Sequence, residues 1–436
     1  ADRPKEGGRY ELPIGIAILA ASEQIPDGKL AGYEFLGELA LTGALRGVQG
    51  AIPAAISAID AGRQLILSAE NQNDVGLIQH GKSLVASHLL AVCTFLHGKA
   101  QLEEAQCHQQ ASAPHIAGDL NEIIGQQRAK RALEITAAGG HNLLLIGPPG
   151  TGKTMLASRL NGLMPPLSDR EALESASVAS LIGSSDLYRQ WRQRPFRSPH
   201  HSASLYALVG GGSLPRPGEI SLAHNGILFL DELPEFERRA LDALREPLES
   251  GEISISRARA KITYPARFQL IAAMNPSPTG HYSGPHNRST PQQTLRYLSR
   301  LSGPFLDRFD LSLEVPLLPP GMLSTQQGGG ESSQQIRERV LAARERQMIR
   351  CGKVNAVMNN PEIQACCTLT PEDAQWLEQV LNQLGLSVRA WQRLLKVART
   401  IADLAGENEV NRQHLTEAVS YRGIDRLLIY LHNSLE

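Results

Sequence analysis

The sequence predicts an α/β protein built on a parallel sheet, with a smaller α/β unit before it and a helical unit after it. Three observations carry this. Residues 120 to about 320 alternate strand-like apolar runs with helical stretches, the pattern of strands joined by helical crossovers. Residues 1–112 mix short apolar runs with helical patterns: "LPIGIAILAAS" and "PAAISAIDAG" read as helices and "QLILSA" as a strand. After about residue 335 every periodic stretch has helical spacing. Polar segments rich in Gly, Pro or Ser, 108–119 and 321–335, read as linkers. The expected units are therefore 1–112, 113–325 and 326–436, with no internal repeat.

A chain of 436 residues has room for two or three domains. No apolar run approaches the length of a membrane span, so no membrane role is expected. The five cysteines (Cys93, Cys107, Cys351, Cys366, Cys367) lack CxxC spacing, which predicts free thiols in the cytoplasm, not a disulfide framework or a zinc site. The chain starts at Ala1 without a charged leader or cleavage site, so no signal peptide is expected. Formal net charge is −1, but its distribution is uneven. Between Asp186 and Glu219 there is no acidic residue, while Arg189, Arg192, Arg194, Arg197 and Arg216 fall there. Between Glu252 and Glu314 the only acids are Asp307 and Asp310. Local basic stretches in a neutral chain suit a polyanion held at one place.

The strongest signal is "HNLLLIGPPGTGKTMLASRL". Gly147, Pro148, Pro149, Gly150, Thr151, Gly152, Lys153 and Thr154 spell G-x-x-x-x-G-K-T between a strand-like run, Leu143 to Ile146, and a helical run, Met155 to Leu160. In that setting backbone N–H groups surround phosphate oxygens and the helix start adds a favourable dipole. Lys153 then reaches the β- and γ-phosphates of ATP, and Thr154 holds Mg²⁺. Phosphoryl transfer also needs a carboxylate for the metal and a group to position water. "NGILFLDELPEF" supplies both at the carboxyl end of a strand: Asp231 for Mg²⁺ and Glu232 for the water. Asn275 ends a third strand, "FQLIAAMNPSP", where it serves either as a sensor of the γ-phosphate or as a turn former before Pro276. Arg308 reads as an arginine finger or as a surface ion pair with Asp310. Arg389 reads as a second sensor or as a cap on its own domain. In the last unit, Thr370, Pro371 and Gly385 punctuate one helix, and Ser387 and Gly406 the next.

These residues occur in the order seen in AAA+ ATPases. "RPFRSPHHSAS", "PRPGEISLAHNGILFLDELPEF", "RARAKITYPARFQLIAAMNPSPTGHY", "LSGPFLDRFDL" and "RAWQRLLKVARTIADL" closely resemble magnesium-chelatase-like AAA+ ATPases over essentially the whole chain. The resemblance implies an AAA+ core, a Lon-protease-like (ribosomal S5 domain 2-like) N-terminal domain and a helical lid relocated as in the chelatase clade. It implies a homo-hexameric, ATP-driven DNA helicase that promotes branch migration of single-stranded and branched DNA during natural transformation. Recombination proteins are then candidate partners, and Arg308 acts in trans. The family carries more residues upstream, so the first domain is expected to be incomplete at its N-terminus. Where Lon-type proteolysis needs Ser and Lys, the chain reads Gly8-Arg9-Tyr10 and Ala51-Ile52, so no proteolysis is expected. Where many members carry cysteines, it reads Ser277, Thr279, Asn287 and Ser289, so no zinc is expected there.

The resemblance also gives "GEISISRARAKITYPARF" a role, as a hairpin pointing into the ring channel, with Arg257, Arg259 and Lys261 on phosphates. Their alternate positions would place them on one face of a regular strand. "RQRPFRSPHHSASLYALVGGG" reads as the other channel-facing insertion, with Arg197, His200 and His201 on DNA. Two other readings stand beside the DNA motor: an ATP-dependent remodeller of a protein partner, and an interaction module whose ATP site controls assembly.

Overall fold

The computed structural model describes residues 8–107, 118–184, 187–212, 215–257, 260–284, 286–321, 330–386 and 388–435. Arg259, Ser387 and most of both linker segments lie outside the described residues.

The N-terminal unit comprises α1 (Glu11–Ala21), β1 (Tyr33–Leu36), α2 (Ala51–Asp60), β2 (Gln64–Ser68), β3 (Leu84–Ala86), α3 (Leu89–Leu96) and β4 (Glu103–Glu104). The sheet runs β1-β2-β3-β4, with β4 alone antiparallel. Leu65, Ile66 and Leu67 of β2 are all buried because both faces are covered, α2 lying on one and α1 with α3 on the other. Gly8–Tyr10 form one 3-10 turn, and Ala51 and Ile52 are buried at the start of α2.

The central unit holds α4 (Gln127–Gly139), β5 (Leu143–Ile146), α5 (Lys153–Leu163), α6 (Asp169–Ser180), β6 (Phe196–Arg197), β7 (Ile227–Leu230), β8 (Glu252–Arg257), β9 (Ala260–Pro265), β10 (Gln269–Met274) and β11 (Leu311–Glu314). Five strands form a parallel sheet in the order β11-β5-β10-β7-β6. Alternation along β5 divides the core: Leu143 and Leu145 join the cluster under α4 and α5, while Leu144 and Ile146 join the opposite cluster with Phe236, Phe305 and Phe309. Each fully buried leucine contributes roughly 1.5–3 kcal/mol relative to exposure. A capping box between Ser168 and Glu171 starts α6, whose Ala176 packs into the core of the N-terminal unit.

β8 and β9 pair antiparallel outside the main sheet, anchored through buried Ile253 and Ile255. Their register corrects one expectation. Lys261 stands opposite Ser256, and Arg257 opposite Ala260, so Arg257 and Lys261 belong to two different, antiparallel strands. The argument that they share one face of a single strand does not hold.

The last unit is helical: α7 (Ser333–Cys351), α8 (Asn360–Cys366), α9 (Pro371–Gln383), α10 (Val388–Ala405), α11 (Arg412–Ser420) and α12 (Gly423–Asn433). Thr370 caps α9 by accepting from Asp373 N, and Gly385 and Gly406 take left-handed φ of 59° and 77° past the ends of α9 and α10. The second linker ends sooner than its composition suggests, because Ser332 and Gln335 form a capping box that starts α7. α7 and α10 share one apolar core with α4, α5 and the sheet.

A buried polar seam joins α10 to the edge from which β5 starts. His141 lies 3.4 Å from Asp310 through Nδ1 and 2.8 Å from Thr400 Oγ1 through Nε2. Asn355 donates to Thr400 Oγ1 and to Asp403, which also receives Arg350 and Arg399. Burial opposes ionisation of Asp310, but the nearby His141 ring and the hydrogen bond from Asn142 N outweigh it and hold the carboxyl below the usual range.

Candidate nucleotide site

β5 ends in the loop 147–152, and α5 starts at Lys153. Gly147 is required by close approach, since a Cβ there would meet Val315 O at 2.3 Å. Gly150 and Gly152 take left-handed φ of 78° and 84°, which turns the loop back onto α5. Thr151 Oγ1 donates to Pro148 O at 3.1 Å. Lys153 Nζ donates to Gly147 O at 2.7 Å, to Pro148 O at 2.8 Å and to Asn275 Oδ1 at 3.3 Å. Burial pushes its pKa down, partly countered by Asp231.

Asp231 and Glu232 follow β7, and Asn275 follows β10, all at the carboxyl edge where the loop lies. Thr154 Oγ1 donates to Asp231 Oδ2 at 2.6 Å, and Asp231 Oδ1 accepts from Glu232 N at 2.9 Å. A hydroxyl and a carboxylate in contact are hard oxygen donors that fit Mg²⁺ completed by water and phosphate oxygens. Among the described residues no group of three or more His, Cys, Asp or Glu is placed to hold a metal. The structure thus brings together Lys153, Thr154, Asp231, Glu232 and Asn275.

Arg308 and Arg389 are elsewhere. Arg308 lies just before β11, at the starting edge of the sheet, where its carbonyl accepts from Asn142 Nδ2 at 2.9 Å. Four residues of strand, about 13 Å, separate that edge from the phosphate loop. Arg308 pairs with Glu249, not with Asp310, whose carboxylate accepts from Asn142 N. Arg389 is exposed in the first turn of α10. One turn further on, Arg393 pairs with Asp307 at 3.0 Å, which places the start of α10 on the Arg308 edge.

The second group of expected residues also finds partners. Arg197 makes a bidentate pair with Glu219 at 2.6 and 2.7 Å, and Glu219 raises its pKa. His200 Nδ1 lies 2.8 Å from Ser202 Oγ. His201 Nδ1 lies 2.8 Å from Glu232 Oε2, a contact that sequence reasoning missed. Nothing local signals it, since 31 residues separate the two and neither spacing nor type marks a pair. Lys261 is exposed on the hairpin. Ser277, Thr279, Asn287 and Ser289 do converge, as a hydrogen-bonded set: Thr279 Oγ1 is 2.7 Å from Ser289 Oγ and 3.3 Å from Ser277 Oγ, and Ser289 N donates to Asn287 Oδ1.

Comparison of the sequence with known proteins points to one family. Residues 119–323 match "Magnesium chelatase, subunit ChlI", residues 330–422 its C-terminal region, and residues 1–71 "Subunit ChlI of Mg-chelatase". The chain is 67% identical to YifB of Escherichia coli over 435 residues, covering 100% of the chain and 86% of that protein. It is 60% identical to competence protein ComM of Haemophilus influenzae, over 99% of the chain and 86% of that protein. The magnesium-chelatase 38 kDa subunit of Rhodobacter capsulatus is 28% identical over 70% of the chain and 87% of its own length. The chain belongs to the magnesium-chelatase-like AAA+ family that includes YifB and ComM.

Proposed function

We propose that the chain hydrolyses ATP to move DNA, as a ring-shaped helicase that drives branch migration when incoming strands are integrated during natural transformation. The observation that carries the hydrolytic part is the convergence of Lys153, Thr154, Asp231, Glu232 and Asn275 at one sheet edge. Mg²⁺, when bound between Thr154, Asp231 and the phosphates, supplies charge neutralisation for the leaving group. Lys153 holds phosphate oxygens, Asn275 positions the γ-phosphate and water, and Glu232 takes the proton of the attacking water. Competence protein ComM as a 60% identical relative supports the DNA part.

Arg308 and Arg389 share the edge opposite this site, so each is suited to serve a nucleotide held by a neighbouring copy. That arrangement supports a homo-oligomer, for which six copies is the family's ring. The three units act as an N-terminal domain (1–112), a motor (113–325) and a lid (326–436), in the cytoplasm.

The test is ATP turnover with and without single-stranded and forked DNA. Wild type should be stimulated by DNA, and Glu232→Gln should bind ATP yet lose about 10²–10⁴ in kcat. Near-normal turnover by Glu232→Gln removes Glu232 from its role. Stimulation by a protein partner in place of DNA would favour a remodeller.

A further inference from the structure

Helices α7 and α8 both end on a cysteine, Cys351 and Cys366. The two sulfurs lie 3.5 Å apart as free thiols, and both residues are partly exposed. A disulfide holds its sulfurs about 2.05 Å apart, so closure asks for an approach of roughly 1.5 Å. Helix ends fray readily and can give that much. Gly352, at φ 67°, ends α7 directly after Cys351. Cys367 follows Cys366 in the chain but is no rival partner. Its buried thiol donates to Leu395 O at 3.7 Å, and burial pushes its pKa up to about 12.

The pair is 15 positions apart, and the stretch between carries Asn355 into the polar seam. Asn355 N donates to Gln347 Oε1 of α7, and its side chain reaches Thr400 and Asp403 of α10. Met358 and Ile363 enter the shared core, and Lys353 pairs with Glu362 at 2.7 Å. Burial and the neighbouring Cys351 push the Cys366 thiol up. Arg350 and Arg399 pull it part of the way back, the first of them bonded to Asp403 and Asn355. A bond between the two sulfurs would therefore close a loop around a residue that ties α7 to α10.

We propose that Cys351 and Cys366 are a modification site, a dithiol that peroxide closes to an intramolecular disulfide and a thiol reductant reopens, fastening the stretch around Asn355 onto α7. One thiolate attacks a peroxide oxygen, the O–O bond breaks, and a sulfenic acid and hydroxide form. The second thiolate attacks the sulfenic sulfur, the S–O bond breaks, and a second hydroxide leaves. The two thiol protons convert both hydroxides to water. The sulfurs together lose two electrons, and peroxide gains them. A sulfenic acid formed beside a second thiol is captured before further oxidation.

The experiment treats the full chain with hydrogen peroxide and then with dithiothreitol, for wild type, Cys351→Ser, Cys366→Ser and Cys367→Ser. Remaining thiols are alkylated, and peptides are read by mass spectrometry. Wild type should lose the Cys351 and Cys366 thiols together and yield one peptide cross-linked between them, which dithiothreitol removes. Oxidised wild type should melt about 3 °C or more above the reduced protein, since closing a loop restricts the unfolded chain. Cys367→Ser should behave as wild type does. Cys351→Ser and Cys366→Ser should show neither cross-link nor rise, and should accumulate a sulfenic acid that dimedone traps. The wild-type arm decides alone if a serine variant folds poorly. Absence of the cross-link in oxidised wild type, or a link from either cysteine to Cys367 in its place, overturns the site. A cross-link that leaves the melting temperature unchanged overturns the fastening.

Discussion

Two basic segments leave the same sheet and end differently. The segment from Arg189 to Gly212 spends its charge inside the molecule. Arg192 bonds Leu167 O, Arg194 bonds Pro165 O and Asn225 O, Arg197 is clamped by Glu219, and His201 meets Glu232. The hairpin of β8 and β9 instead buries Ile253 and Ile255 at its root and carries exposed Lys261 toward its tip. Both read as polyanion-binding stretches by composition. Positive charge in a sequence becomes positive surface only where the fold supplies no internal acceptor, and an acid 22 residues away, Glu219, decides the matter for Arg197.

The largest effect should come from the hairpin. Replacing Arg257, Arg259 and Lys261 together by alanine should lower single-stranded DNA affinity about 10²-fold or more at low salt. It should also flatten the salt dependence by about two in log–log slope for each subunit engaged. DNA-free ATP turnover should persist, because the phosphate loop lies elsewhere. An unchanged slope would return the hairpin to a solvated tip and erase the contrast. Next, Arg197→Ala should cost about 1–2 kcal/mol of stability through the loss of a bidentate pair, read by urea denaturation, while leaving the salt slope as it was. A slope flattened as much as by Lys261→Ala would break the comparison from the other side. Glu219→Gln removes the counter-charge and frees a guanidinium, so DNA affinity should rise about two- to fivefold at low salt and less at high salt. The smallest effect belongs to His200→Ala, whose ring nitrogen is engaged with Ser202: a change below about twofold in DNA affinity is expected.

What the sequence made legible was local. The run Leu143 to Ile146, the glycine loop and the helix after it are adjacent in the chain and obey one steric logic, so strand, cradle and Lys153 stand where spacing placed them. The same holds for Asp231, Glu232 and Asn275, each the first polar residues after an apolar strand. The caps at Thr370, Gly385 and Gly406 are likewise one-turn signals. Partners brought from afar were not legible. The seam of His141, Asp310, Thr400, Asn355 and Asp403 uses common polar residues up to 262 positions apart, with no pattern before the helices dock on the sheet. Glu249 beside Arg308 and Glu232 beside His201 are of the same kind. The hairpin's register was missed for a smaller reason: Arg257 and Lys261 belong to strands that run in opposite directions, and alternation counted along the sequence does not survive a reversal of direction.

The strand order has a consequence for how the protein is made. Among the described residues β5, at 143–146, pairs with β10 at 269–274 and β11 at 311–314 and with no other strand. On a ribosome, its four apolar residues emerge on the order of ten seconds before the first of those neighbours exists. Throughout that interval Leu143, Leu144, Leu145 and Ile146 present an unpaired strand, and no nearby segment can satisfy it. The phosphate loop that follows cannot take its shape until the chain has been made to Val315, whose carbonyl packs against Gly147. Synthesis of this motor therefore exposes its most apolar strand for longest, and cellular chaperones that shield such strands should set its yield before its thermodynamic stability does.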